Sequence, residues 1–184
     1  MHTNDYLESP CTGPGYFSSA ECARIIALSE KLNPIEGGIM EDSRAAPEFR
    51  QSTIFFVDRN EGTQWLFAKL EQATSEINQT YGFDIEGIRE MQLACYRVGH
   101  FYDWHMDIGK GNLSMRKLSL SLQLSDPISY EGGELEIQLG NGKPAPKALG
   151  TVIVFPSYLS HRVTPVTRGN RWSLVAWVHG PPFK

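Results

Sequence analysis

The stretch TVIVFPSYLSHRVTPVTRGNRWSLVAWV, residues 151–178, decides the fold. Its apolar runs are short, reading as strands over 148–155, 160–166 and 171–179, with Pro, Ser, Asn and Gly breaking the chain between them. Brief runs rich in Val, Ile, Phe and Trp and bounded by turn residues are strands rather than helices. The same texture covers 90–98, 115–125 and 134–139, and it begins only after residue 86. Many short strands with regular turn signals predict a sandwich or barrel of the jelly-roll kind.

Upstream, the periodicity is helical. Ser18-Ser19-Ala20-Glu21 reads as a capping box, in which the serine hydroxyl accepts first-turn amides and the glutamate reaches back. Cys22, Ile25, Ile26 and Ser29 follow at helical spacing, so a helix is expected over 19–32. A second fits 63–80, with Leu66, Leu70, Ala73 and Ile77 on one stripe and Gly82 past its end. Residues 52–57 (STIFFV) are β-branched and aromatic, a strand, and 1–16 form an irregular leader. The stretch GGIMEDSRAAPEFRQ (37–51) is polar and aperiodic, equally a solvated loop or a lid over a site. The expectation is an α+β, mainly β chain: a double-stranded β-helix (jelly-roll) core over about 86–180, supported by N-terminal helices. Residues 1–184 make one domain.

Composition narrows the function. A chain that is 41% hydrophobic, 21% charged and of net charge −4 is globular, and it lacks the basic field that nucleic-acid binding requires. Cys11, Cys22 and Cys95 are an odd, widely spaced set, which argues against a disulfide framework or a structural zinc site. No apolar run approaches the roughly 20 residues that span a bilayer, and Met1–Gly15 lacks the apolar core of a signal peptide. A cytoplasmic protein with no membrane partner is expected, and nothing beyond a small basic patch is left to bind nucleic acid.

The chemistry lies in Trp104-His105-Met106-Asp107. If this segment is extended, residues two apart share a face, so His105 and Asp107 converge. An imidazole beside a carboxylate suits a divalent transition metal. His161, just after the apolar strand TVIVFP, can supply a third ligand. Two His and one carboxylate on one side of a metal leave three positions open, the facial triad of non-haem Fe(II) oxygenases, with room for an α-keto acid and dioxygen. His-x-Asp is common by itself, and a lone histidine is more often a hydrogen-bonded structural residue. The ordered set is more telling: His-x-Asp, then His about fifty residues on, then Arg171 ten residues later. A guanidinium can bind a carboxylate bidentately, and Ser173 shares its strand face. A surface ion pair is the other reading of Arg171, but RWSLVAWV is otherwise apolar, and an unpaired charge inside it would be costly.

Three segments, CYRVGHFYDWHMD (95–107), LSLQLSDPISYEGGELEI (120–137) and FPSYLSHRVTPVTRGNRWSLVAWV (155–178), together resemble the 2-oxoglutarate- and Fe(II)-dependent dioxygenases. The likeness is nearest to the prolyl 4-hydroxylase-like branch with its bacterial and phage members; it is dense over 90–179, and Phe17-Ser18-Ser19-x-Glu21-Cys22 is similar to the opening of that domain. The resemblance implies His105, Asp107 and His161 as iron ligands and catalytic residues, with Arg171 on the distal carboxylate of 2-oxoglutarate and Ser173 assisting. Tyr96 matches a tyrosine that donates its hydroxyl to that carboxylate; a core aromatic with one polar tip explains it too. Gln123 sits where some relatives place another cosubstrate contact. Tyr102 and Trp177 fall on the substrate side, with barrel packing the alternative for each.

The implied cofactors are Fe(II), 2-oxoglutarate as cosubstrate and O2, with ascorbate as a supporting reductant. The implied reaction is hydroxylation of an unactivated C–H bond, foremost of a prolyl residue in a peptide or protein. Relatives that halogenate lack the carboxylate that Asp107 provides. Two departures stand out. Collagen-modifying relatives place Lys at the position of Arg171, and the longer bacterial hydroxylases continue past the barrel where this sequence stops at Lys184. Hydroxylation of a free amino acid or other small molecule is the enzymatic alternative. A non-catalytic metal-binding or sensing jelly-roll module is the alternative outside enzymes. A zinc hydrolase is disfavoured, because His-Glu-x-x-His is missing.

Overall fold

A computed structural model of the chain describes residues 12, 15–36, 48–138 and 144–183. Helix α1 (Ser19–Ile26) starts at the capping box: the Glu21 amide donates to Ser18 Oγ, and the Ser18 amide donates to the Glu21 carboxylate at 2.7 Å. It stops short of residue 32 because residues 27–30 tighten into a 3-10 turn. There the Ser29 hydroxyl donates to the Ile26 carbonyl at 2.7 Å, competing with the helical ladder. Helix α2 (Gln64–Tyr81) matches its expected span, and Gly82 ends it at φ 69° with its N–H on the Asn78 carbonyl. Leu66, Leu70 and Ala73 are buried along the expected stripe, with Ile77 packed beside them.

The strands are β1 (Ile35–Glu36), β2 (Arg50–Gln51), β3 (Thr53–Phe56), β4 (Gly87–Tyr96), β5 (Phe101–His105), β6 (Arg116–Gln123), β7 (Glu131–Gly132), β8 (Leu135–Ile137), β9 (Val152–Pro156), β10 (His161–Val163), β11 (Val166–Arg168) and β12 (Arg171–His179). They form a major sheet of order β1-β3-β4-β12-β6-β9, a minor sheet β2-β5-β10-β8, and the ribbon β11-β7. Every pairing is antiparallel. The run expected over 160–166 divides at Thr164-Pro165, where β10 stays in the minor sheet and β11 turns away to pair with β7. Proline lacks the N–H that a continuous ladder would use. In 37–51, Arg50 and Gln51 form β2 against Tyr102 and Phe101. Glu48 and Phe49 form a turn before it, while 37–47 and nearly all of the leader lie outside the described residues.

The two-residue period of the major sheet sorts its side chains. Leu174, Ala176 and Val178 of β12, Met91 and Leu93 of β4, Leu118, Leu120 and Leu122 of β6, and Val152 and Val154 of β9 face the helices in one core. Tyr81 of α2 donates its hydroxyl to the Val154 carbonyl, tying helix to sheet at 3.1 Å. The alternate residues, among them Gln92, Tyr96, Ser119, Ser121, Phe155, Arg171, Ser173, Val175 and Trp177, line a cavity of about 140 Å³ shared with the minor sheet. No helix among the described residues is long and apolar enough to cross a membrane.

Candidate metal centre

His105 ends β5 and His161 begins β10, and the two are direct partners across that antiparallel pair. Opposite residues in such a pair project to the same side, so strands far apart in sequence bring the imidazoles to 4.1 Å between ring centroids. Asp107 arrives differently from the extended geometry expected of His-x-Asp. β5 stops at His105, and the chain then bends. The Asp107 amide donates to the Ser157 carbonyl at 3.0 Å, and Arg116 donates to the Asp107 carbonyl at 3.1 Å. These contacts swing the carboxylate under both rings, with Oδ1 at 3.7 Å from His105 Nε2 and Oδ2 at 3.4 Å from His161 Nε2. One ligand atom from each residue lies within 4.8 Å of the others, a group that could hold a metal ion.

The donor chemistry fits a transition metal. His105 Nδ1 lies 2.7 Å from the Asp103 carbonyl and His161 Nδ1 lies 3.0 Å from the Leu159 carbonyl. A carbonyl can only accept, so Nδ1 carries the proton and each Nε2 keeps its lone pair for a metal. Burial and the neighbouring His161 push the His105 pKa well down, so it is neutral. Burial would push the Asp107 carboxyl up, but the facing imidazoles of His161 and His105 and a hydrogen bond from Ser119 outweigh it and hold the group below its ordinary range. Ser119 Oγ donates to Asp107 Oδ2 at 2.5 Å and lies 3.0 Å from Ser157 Oγ. The indole N–H of Trp177 faces the same carboxylate, though no hydrogen bond of ordinary geometry forms.

At the other end of the cavity stands Arg171, 1% exposed. Its guanidinium donates to Ser173 Oγ at 3.0 Å and to Gln123 Oε1 at 3.2 Å, while Nε is buried with no partner. Among the described residues no Asp or Glu pairs with it, so the surface ion pair is not what is seen. A buried, unpaired cation costs several kcal/mol unless an anion arrives. A carboxylate ligand fits the need. Tyr96 is 3% exposed and its ring lies 5.5 Å from the guanidinium carbon. Gln123 is already engaged on both sides, accepting from Arg171 and donating to the Pro146 carbonyl, so it orients the arginine.

Tyr102 stacks on His105 with centroids 3.5 Å apart, and Arg50 lies 4.4 Å over the Tyr102 ring. Trp177 carries Arg116 at 4.0 Å over its ring, and Glu90 holds that arginine with a hydrogen bond of 3.0 Å to Nε. All nine residues singled out from the sequence are thus drawn around or just beside one cavity. Ser119, Ser157, Arg50 and Arg116 were missed. The alternation Arg-Lys-Leu-Ser-Leu-Ser-Leu-Gln (116–123) carried a usable signal, since it places Ser119, Ser121 and Gln123 together on one face of a buried strand.

Residues 91–179 match the sequence pattern of the family described as the 2OG-Fe(II) oxygenase superfamily. A PKHD-type hydroxylase of Teredinibacter turnerae is 42% identical over 99 residues, which cover 50% of this chain and 44% of that protein. The chain therefore spans less than half the length of that curated relative. The crystal structure of a Pseudomonas putida prolyl-4-hydroxylase shares the fold at a TM-score of 0.72 and 24% identity, covering 93% of this chain and 92% of that one. A Trichoplax adhaerens prolyl hydroxylase, solved with a hypoxia inducible factor peptide fragment, superposes at a TM-score of 0.75 and 17% identity, covering 94% and 84%.

Proposed function

We propose that this chain, whose residues 91–179 match the sequence pattern of the 2OG-Fe(II) oxygenase superfamily, hydroxylates an unactivated C–H bond with dioxygen and 2-oxoglutarate. The bond belongs to a prolyl residue in a peptide or protein. The observation that carries this reading is Arg171: a buried guanidinium with no carboxylate partner shares one cavity with a His-Asp-His triad. The facing antiparallel sheets support a double-stranded β-helix, in which such a cavity is the binding site.

His105, Asp107 and His161 would hold Fe(II) through the two Nε2 atoms and a carboxylate oxygen. Iron bound there would supply activation of dioxygen, one atom of which would enter the C–H bond while the other ends in the succinate formed, with CO2, from 2-oxoglutarate. Arg171, helped by Ser173 and Tyr96, binds the far carboxylate, and Gln123 keeps the guanidinium aimed. Ser119 steadies the Asp107 carboxylate through Oδ2. Tyr102 and Trp177 line the cavity from its two sheets beside the triad, where they would border a substrate. The prolyl assignment draws support from the named hydroxylases, one of which was solved with a peptide. Free thiols at Cys22 and Cys95, both buried, fit a reducing compartment, the cytoplasm.

The test is mass spectrometry after incubating the protein with Fe(II), 2-oxoglutarate and ascorbate, offering proline-containing peptides, proteins and free amino acids in parallel. The expected result is a peptide heavier by one oxygen atom, with succinate formed in step. Oxygen gained only by a free amino acid would move the substrate to small molecules. Neither succinate nor any oxidised product across the panel would defeat the oxygenase reading.

A further inference from the structure

The ribbon β7–β11 lies against the stem of Arg171, and one glycine makes that approach possible. Gly133 has φ +59°, and a Cβ there would stand 2.9 Å from Arg171 Cδ and 2.9 Å from Val166 Cγ2, with Tyr130 Cε2 at 3.5 Å. Carbon atoms settle about 3.5–4.0 Å apart, so an added methyl must displace something. The ribbon itself has little room to yield. A Cβ on Gly132 would meet the Pro165 carbonyl oxygen at 2.1 Å, and one on Gly169 would meet the Ser129 carbonyl oxygen at 2.2 Å. These backbones are already in close contact, and strand pairing of Val166 with Gly132 and Arg168 with Glu131 holds them. The arginine stem is the softer neighbour. Its displacement would break the 3.0 Å and 3.2 Å bonds to Ser173 and Gln123 that aim the guanidinium.

We propose that the β7–β11 ribbon is a clamp for Arg171 and that Gly133 is a positioning residue for cosubstrate binding, its missing side chain setting where the guanidinium sits. The inference rests on the reading that Arg171 grips the far carboxylate of 2-oxoglutarate. Gly133 touches neither metal nor cosubstrate and acts only through the arginine.

The test is calorimetric binding to Mn(II)-loaded protein, which needs no turnover, with two ligands. 2-Oxoglutarate reaches from metal to Arg171, whereas oxalate chelates the metal alone. Gly133→Ala is expected to weaken 2-oxoglutarate about tenfold, the scale of an overpacked contact, and to leave oxalate unchanged. Gly82→Ala is the control: it carries a similar backbone strain at φ +69° with nothing within 4 Å, and should leave both ligands unchanged. In an Arg171→Ala background, Gly133→Ala should add no further loss, because the atom it displaces is gone. Equal weakening of both ligands, or additive loss in that background, would overturn the proposal. Should Gly133→Ala fail to fold, Gly133→Ala/Val166→Ala removes one of its two clashes and must show the same ligand-selective loss. If Arg171→Ala alone leaves 2-oxoglutarate affinity intact, the arginine reading itself falls; if it weakens binding while Gly133→Ala does not, only the clamp falls.

Discussion

Strand β12 has two faces that do opposite work. Leu174, Ala176 and Val178 point into the helix-backed core and are buried among aliphatic neighbours. Arg171, Ser173 and Trp177 point the other way, equally buried, into a cavity where donors stand without partners. Burial is the same and the meaning differs. Apolar burial on the first face stabilises the fold, whereas polar burial on the second is a cost that the folded chain carries so that a ligand can repay it. Stability and function should therefore separate residue by residue along one strand.

The strongest attempt to break that separation is His161→Ala. It removes one of the three proposed iron ligands, so iron binding and succinate formation should be abolished while the unfolding midpoint in denaturant moves little. Unchanged succinate production would refute the triad. Next comes Leu174→Ala on the other face, expected to cost about 2–5 kcal/mol in chemical denaturation. Iron and 2-oxoglutarate affinity per folded molecule should stay as in the parent; a selective loss of either would show that the faces are coupled.

Arg171→Ala sharpens the contrast from the functional side. Charge-assisted hydrogen bonds contribute about 1.5–3 kcal/mol, so the 2-oxoglutarate Kd should rise roughly ten- to hundredfold, with iron affinity retained. Stability should not fall as it does for Leu174→Ala, because the variant also removes an unpaired buried charge. Ser119→Ala should lower metal affinity about tenfold, the scale for losing a group that orients a ligand, as read by competition with a chelator. The smallest effect lies on the helix side. Hydrogen bonding to Lys69 holds the Glu21 carboxyl at about 2, below its ordinary 4.5. The folded value is the lower one, so its contribution is present above 4.5 and fades as pH falls toward 2. Partly exposed pairs of this sort contribute about 0.5 kcal/mol, and Glu21→Gln should flatten only that part of the stability–pH curve.

Legibility in the sequence followed the range of the interactions involved. The capping box at Ser18 and Glu21, the span and stop of α2, and the period of β12 were all readable, because each depends on neighbours within a few residues. β5 was missed as a strand: Phe101-Tyr102-Asp103-Trp104-His105 does not alternate cleanly, and its pairing with β10 and β2 decides its conformation. The nearness of Asp107 to His105 was readable, but the bend that delivers it was not, since the Ser157 carbonyl and Arg116 impose that bend from elsewhere in the chain.

The sequence by itself singled out the residues proposed to carry the chemistry and the alternation of strands such as β12, because side-chain alternation is a property of the local backbone. Only the tertiary structure decided how those sides meet. Strand register set His161 opposite His105, turned Ser119 onto the Asp107 carboxylate, and laid Gly133 against the stem of Arg171. Register depends on turns and packing across the whole chain, and a one-residue slip of β10 or β6 would send His161 or Ser119 to the opposite face.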